Sequence, residues 1–353
     1  MPDQQSDTDE VIFQRRVADI TSHQTSVPGS CTVFMASSGD YVLFANNEDY
    51  TNYNTSYWTD ASKDGHYGGL YFGFDDFFPQ GGMNEKGLMF DYTSLPPSTI
   101  LPHPERPHRE PEIYDLNHWS EPSKVMTIMR HAATVEEAIK IARTYDWAGT
   151  LLWEVILADP SGDAVIISAG ADGDLAFTRK APGDGFMVAG NVNPANPTNR
   201  YSPDPCPKIT GTSERLSTYL AHGSAGVTVD HFRSILDAVH AEGPNVNTVY
   251  SDILDPKAGK VYLYYWHQYG HVVELDVAAE IAKGTGPTSL REVFPGSTIK
   301  IAEVRHFYHR NRRLIKATGL AAAMASLVCG IILVRKRKEY KSLPPEPLIA
   351  LRT

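Results

Sequence analysis

Short apolar runs, broken by turns rich in Gly, Asn, Asp and Pro, fill the chain from Cys31 to about Pro295. Val33-Phe34-Met35 leads into Ser37-Ser38-Gly39-Asp40, and Tyr41 to Ala45 forms a second apolar run, which predicts a β-hairpin. Gly69 to Phe74 and Met89 to Thr93 predict strands; between them, Asn84-Glu85-Lys86-Gly87 is a turn with Gly available for positive φ. Tyr50 to Gly65 and the Pro- and His-rich Leu95 to Glu112 read as loops. Leu151 to Ala158 and Ala164 to Ser168 flank the connection Asp159 to Asp163, with further strands at Leu175 to Arg179 and Phe186 to Ala189. A final hairpin joins Thr248 to Leu254 with Val261 to Trp266 and pairs with Val272 to Val277. Helical periodicity marks Pro122 to Arg130 and the stretch behind the capping box Thr134 to Glu137. It recurs over Ser213 to His222, and over Val229 to His240 behind Thr228. Hairpins before and after a helix pair predict an α+β protein, mostly antiparallel, with helices outside packed sheets.

Ala317 to Val334 carries no charge. As a helix these residues reach roughly 27 Å, enough for a hydrocarbon core. Arg310, Arg312, Arg313 and Lys316 precede the stretch and Arg335 to Lys338 follow it, so it predicts a membrane-spanning helix. The domain division that follows is 1–30 as a tail or propeptide, 31–296 as the main domain, 297–316 as a basic juxtamembrane helix, 317–334 as the span and 335–353 as a short tail. With no secretory signal at the N-terminus, a single-pass C-terminal anchor with a cytoplasmic domain needs the fewest assumptions. The basic run after the span is the opposite indication, a stop-transfer flank.

A length of 353 residues and 42% apolar content support a substantial core. The net charge of −10 argues against nucleic acid as a partner. Cys31, Cys206 and Cys329 are too few and too scattered for a disulfide framework. No Cys-x-x-Cys or His-Glu-x-x-His spacing occurs, and the spacing predicts neither metal nor cofactor.

The hairpin returns the chain to Cys31, bringing Asn46, Asn47 and Asp49 near a thiol. Cys-Thr at a strand start, Asn46-Asn47-Glu48-Asp49-Tyr50 and Gly82-Met83-Asn84-Glu85-Lys86-Gly87-Leu88 resemble signatures of the choloylglycine hydrolases. These linear amide C–N hydrolases include penicillin V acylase and bile salt hydrolase and belong to the N-terminal-nucleophile hydrolases. The resemblance implies a four-layer αββα sandwich of two antiparallel sheets and cleavage between Ser30 and Cys31. Cys31 would be nucleophile and, through its freed amine, base; Asp49 would hold that terminus. Asn191 and the backbone N–H of Ser94 would form the oxyanion hole, with Asn46, Asn47, Asn193 and Arg200 facing substrate. One departure stands out: Asn46 occupies a position where many members carry arginine, leaving Arg200 as a substitute cation. The implied partner is a small N-acyl amide, with the apolar acyl group suited to a membrane anchor. A dipeptidase of the same superfamily and a non-catalytic, membrane-tethered binding domain are the alternatives, and a homo-oligomer is left open.

Overall fold

The computed structural model describes residues 31–63, 65–104, 124–181, 183–201, 205–243 and 246–311. The strands in the first half are β1 (Thr32–Ser38), β2 (Tyr41–Tyr50), β3 (Thr55–Asp60), β4 (Gly69–Phe74), β5 (Pro79–Asn84) and β6 (Met89–Ile100). Helices α1 (Lys124–His131) and α2 (Val135–Ala142) follow, then β7 (Gly149–Ala158), β8 (Ala164–Ala169), β9 (Leu175–Arg179) and β10 (Phe186–Ala189). Helices α3 (Pro207–Leu220) and α4 (Val229–Val239) lead to β11 (Asn247–Asp255), β12 (Lys260–Tyr265) and β13 (Val273–Asp276). The last named elements are α5 (Val277–Lys283), β14 (Thr288–Ser289) and α6 (Leu290–Val293).

These strands form two antiparallel sheets, one ordered β10-β1-β2-β11-β12-β13 and the other β14-β3-β4-β5-β6-β7-β8-β9. Strand alternation explains why they stack. Val33 and Met35 of β1 point between the sheets, with Phe44, Phe72 and Leu254. Phe34 and Ala36 point the other way, onto Leu216, Phe232, Ile235 and Leu236 of α3 and α4. The second sheet likewise turns Tyr71 and Phe90 outward onto Val125, Ile128 and Met129 of α1 and Ile139 of α2. Three apolar interfaces separate four layers, helices–sheet–sheet–helices, as the sequence resemblance implies.

Local signals account for most boundaries. The Thr134 hydroxyl accepts from Glu137 N at 3.2 Å, and the Glu137 carboxylate accepts from Ala133 N at 2.7 Å, so the capping box engages one residue earlier than its usual reciprocal partner. Thr228 caps α4 through His231 N at 3.2 Å.

Other elements depart from the expectation. The loop read at Tyr50 to Gly65 contains β3, whose Tyr57 and Trp58 are buried; its Thr and Ser positions hid the strand. β6 runs on to Ile100, past Pro96 and Pro97, because its pairing with β7 shifts between Ser94 and Ser98 and spares the prolines a ladder bond. α3 starts at Pro207 rather than Ser213, with proline in the first turn, where its missing N–H costs nothing.

The first compact unit reaches Ala302, and the described part of the unit from Glu303 is helical. Met1 to Ser30 and Ala317 to Val334, read as propeptide and membrane span, lie outside the described residues. Among the described residues no helix is long and apolar enough to cross a membrane.

Candidate active site

Cys31 immediately precedes β1. The antiparallel register, with Thr32 opposite Asn47, carries Cys31 opposite Glu48. The Cys31 Sγ–H accordingly lies 3.8 Å from Glu48 Oε1 and 3.9 Å from the backbone oxygen of Asp49. Asn46 and Glu48 share the inward face of β2, and Asn46 Nδ2 donates to Glu48 Oε2 at 3.4 Å. Across the next strand Asp252 sits opposite Asn46. Asp91, flanked in β6 by Met89 and Thr93 on the same face, belongs to the facing sheet. All three acids are at most 4% exposed.

This interior is acidic where the sequence resemblance leads one to look for an arginine. Burial first, then the charges of Glu48 and Asp49, push the Cys31 thiol well above its ordinary range. Burial and the charges of Asp252 and Glu48 raise the Asp91 carboxyl well above the usual carboxylate range. Burial and Glu48 do the same to Asp252. A carboxyl raised in the folded state keeps a proton that the unfolded chain loses above about pH 4, so its contribution to stability declines as pH rises from there. Asp252→Asn is therefore expected to gain stability relative to wild type at pH 7 but not at pH 4. The gain accrues at up to about 1.4 kcal/mol per pH unit, read from urea unfolding at both pH values. An equal effect at the two pH values would contradict the protonated state.

Asp49 faces the helix layer instead. Its carboxylate accepts from the Thr248 hydroxyl and pairs with the Lys208 ammonium on the first turn of α3. Its side chain is fully buried, and that of Lys208 is 19% exposed. Asn47 also faces the helices: Nδ2 donates to Leu236 O at 2.9 Å, and Oδ1 accepts from Ser251 at 2.6 Å and Tyr269 at 3.1 Å. Its carboxamide ties β2 to α4, away from the space beside the thiol.

β10 flanks β1 on the other side. Val33 pairs with Ala189, so the register continued by two residues sets Asn191 level with Cys31. A Cβ on Gly190 would lie 3.5 Å from Cys31 O, which shows how close the end of β10 comes. Asn191 Nδ2 donates to Ser94 O at 2.6 Å, while its buried Oδ1 has no hydrogen-bond partner among the described residues. Ser94 thus meets Asn191 through its carbonyl oxygen. Thr93 completes the crossing, donating to Glu154 Oε1 at 2.9 Å and contacting Gly190 O at 3.2 Å. Asn193 is occupied by the turn itself: Oδ1 accepts from Ser168 at 2.9 Å and from Ala195 N at 3.0 Å, and Nδ2 donates to Ala169 O at 2.7 Å. Arg200 reaches the same loop through a backbone bridge to Val192.

No family model and no curated protein matches the chain. Solved structures do. A Cys→Ala mutant of conjugated bile acid hydrolase from Clostridium perfringens aligns with a TM-score of 0.52 at 16% identity, covering 73% of this chain and 96% of that one. An arginine-to-leucine variant of the same hydrolase gives a TM-score of 0.54, also at 16% identity, with the same coverage. The chain has the fold of conjugated bile acid hydrolase. Penicillin V acylase from Agrobacterium tumefaciens is a weaker likeness, with a TM-score of 0.46 at 17% identity over 73% of this chain and 89% of that one. The likeness to bile acid hydrolase takes in nearly the whole of that protein's length, and it agrees with the family resemblance carried by the Cys31 and Gly82–Leu88 signatures.

The structure adds Glu48, Asp91, Asp252 and Lys208 to the residues around the cysteine. A signal for two of them was present: Asp91 and Asp252 fall in phase with Met89 and Leu254, an acid on the apolar side of a strand. Lys208 had none, since it reaches Asp49 across 159 positions of sequence. One group of metal-ligating type occurs among the described residues, His240, Glu242 and His267, apart from the cysteine.

Proposed function

We propose that this chain is an amidohydrolase that cleaves a linear, non-peptide C–N bond of an N-acyl substrate with Cys31 as an N-terminal nucleophile. The observation that carries the reading is the position of Cys31 at the inner edge of β1. It has Glu48 opposite on one neighbouring strand and Asn191 level on the other, in the bile acid hydrolase fold.

Scission of the Ser30–Cys31 bond would turn an amide nitrogen into an α-amine with a reference pKa of about 7.7–8.0. That amine, neutral at rest, becomes an ammonium beside Glu48 on taking up the thiol proton; it then supplies the positive charge that Asn46 does not and stabilises the thiolate. The thiol proton passes to the amine, the thiolate attacks the amide carbon, and Asn191 Nδ2 donates to the oxyanion. The amine then protonates the leaving nitrogen as the C–N bond breaks, and water hydrolyses the thioester. Asp49, gripped by Lys208 and Thr248, fixes the end of β2 and with it the backbone oxygen that faces the sulfur. The uncharged stretch Ala317 to Val334 would tether the domain to a membrane, on its cytoplasmic side, where apolar acyl chains are at hand.

The test is a panel of N-acyl amides of varied chain length, together with dipeptides. Release of free amine from an acyl amide supports the reading. Asn191→Ala is expected to lower kcat by about 10²- to 10³-fold with a smaller change in KM. A non-catalytic binding domain is the second reading, favoured by the acidic surroundings of the thiol; it predicts no turnover on any member of the panel.

A further inference from the structure

The cluster His240–Glu242–His267 shares no residue with the cysteine site. His240 caps the C-terminus of α4, Glu242 follows two residues on, and His267 lies just beyond β12. One ligand-type atom from each falls within 4.8 Å of the other two. The ring nitrogen His240 Nδ1 lies 2.5 Å from Asp237 O, a contact that a carbonyl accepts only from an N–H. That proton places the lone pair on Nε2, which faces Glu242 Oε2 at 4.0 Å. An imidazole whose far nitrogen donates to a backbone carbonyl is oriented as metal-bound histidines are. The His267 ring lies almost parallel to that of His240, with centroids 4.9 Å apart. His267 and Trp266 both hold left-handed backbone, at φ 46° and 50°. Two successive non-glycine residues in that region are a costly way to turn the chain, and this turn delivers an imidazole to the cluster.

We propose that His240, Glu242 and His267 form a binding site for a divalent transition metal of the zinc class. Two imidazoles and one carboxylate suit zinc, cobalt or nickel; calcium and magnesium want oxygen ligands throughout. Glu242 is half-exposed and leaves the cluster open to an entering ion and to a water as fourth ligand. Zinc–ligand distances of about 2.0–2.2 Å require the three side chains to close in by roughly 1 Å on binding, and the stacked rings of His240 and His267 to turn until both in-plane lone pairs meet at the ion. The bound ion braces the segment that holds Thr248, one of the two partners of Asp49. Ala241, between two of the ligands, donates its N–H to the Thr248 hydroxyl at 2.8 Å, and Thr248 in turn donates to Asp49. Tyr269, two residues past His267, donates to Asn47. The site rests on its own geometry and does not depend on Cys31 being a nucleophile.

The experiment titrates the full chain, untagged and stripped of metal by chelator, with Co²⁺ and then Zn²⁺. Expected are one equivalent of Co²⁺ with the intense visible bands of a four- or five-coordinate site, displacement by Zn²⁺, and no competition from Mg²⁺ or Ca²⁺. Glu242→Gln, at an exposed position that leaves the fold intact, is expected to weaken Co²⁺ binding about 10-fold or more, and His240→Gln further still. Thermal unfolding of wild type should shift upward with Zn²⁺, and that of His240→Gln should not. Absence of saturable Co²⁺ binding to wild type would overturn the proposal, as would wild-type affinity in both variants.

Discussion

Cys31→Ser is expected to lose amide hydrolysis by on the order of 10⁴-fold or more while remaining folded. The substitution removes one sulfur from a site whose remaining groups, Glu48, Asp91 and Asp252, are acids or their protonated forms and offer no competing nucleophile. Serine is nearly isosteric, so urea unfolding should move by less than about 1 kcal/mol. A variant that folds and hydrolyses as wild type does would place the chemistry on another residue.

Lys208→Ala is expected to cost roughly 3–5 kcal/mol of stability, because it removes the cation paired with the fully buried Asp49 carboxylate. The double variant Asp49→Asn with Lys208→Met should recover much of that loss, since both charges then leave together. Denaturant unfolding of Asp49→Asn, Lys208→Met and their double variant gives the coupling directly. A loss below about 1 kcal/mol in Lys208→Ala would show that the pair is a surface contact without structural weight.

Two apolar runs on either side of the Ser37–Asp40 turn are enough to place Cys31 at the open end of a hairpin, and hairpins before and after a helix pair point to the two antiparallel sheets. Alternation also carried more than proximity. It sets Asn46 and Glu48 on one face of β2 and Asn47 and Asp49 on the other, so that residues adjacent in sequence serve different layers. Reading Asn46, Asn47 and Asp49 as one cluster around the thiol overlooked that split; the neighbour directly across from Cys31 is Glu48. Asn193 is a similar case. A carboxamide before proline is ambiguous in sequence, and here all its polar atoms are taken up by Ser168, Ala169 and Ala195. What no local pattern encodes is long-range pairing: Lys208 with Asp49, or His240 with His267, arises only when the sheet and its helices are assembled.

Asparagine at position 46, where the resemblance leads one to expect arginine, has a physical consequence. With the residues before Cys31 attached, the thiol is held protonated by burial and by its acidic neighbours. The positive charge that reverses this would come from scission itself, so the protein would hold its nucleophile inactive until the chain end is made.

Intact-mass measurement with N-terminal sequencing of the purified, active protein tests this directly. The account predicts a mature chain whose first residue is Cys31. A protein that hydrolyses acyl amides with Met1 to Ser30 still attached would contradict it.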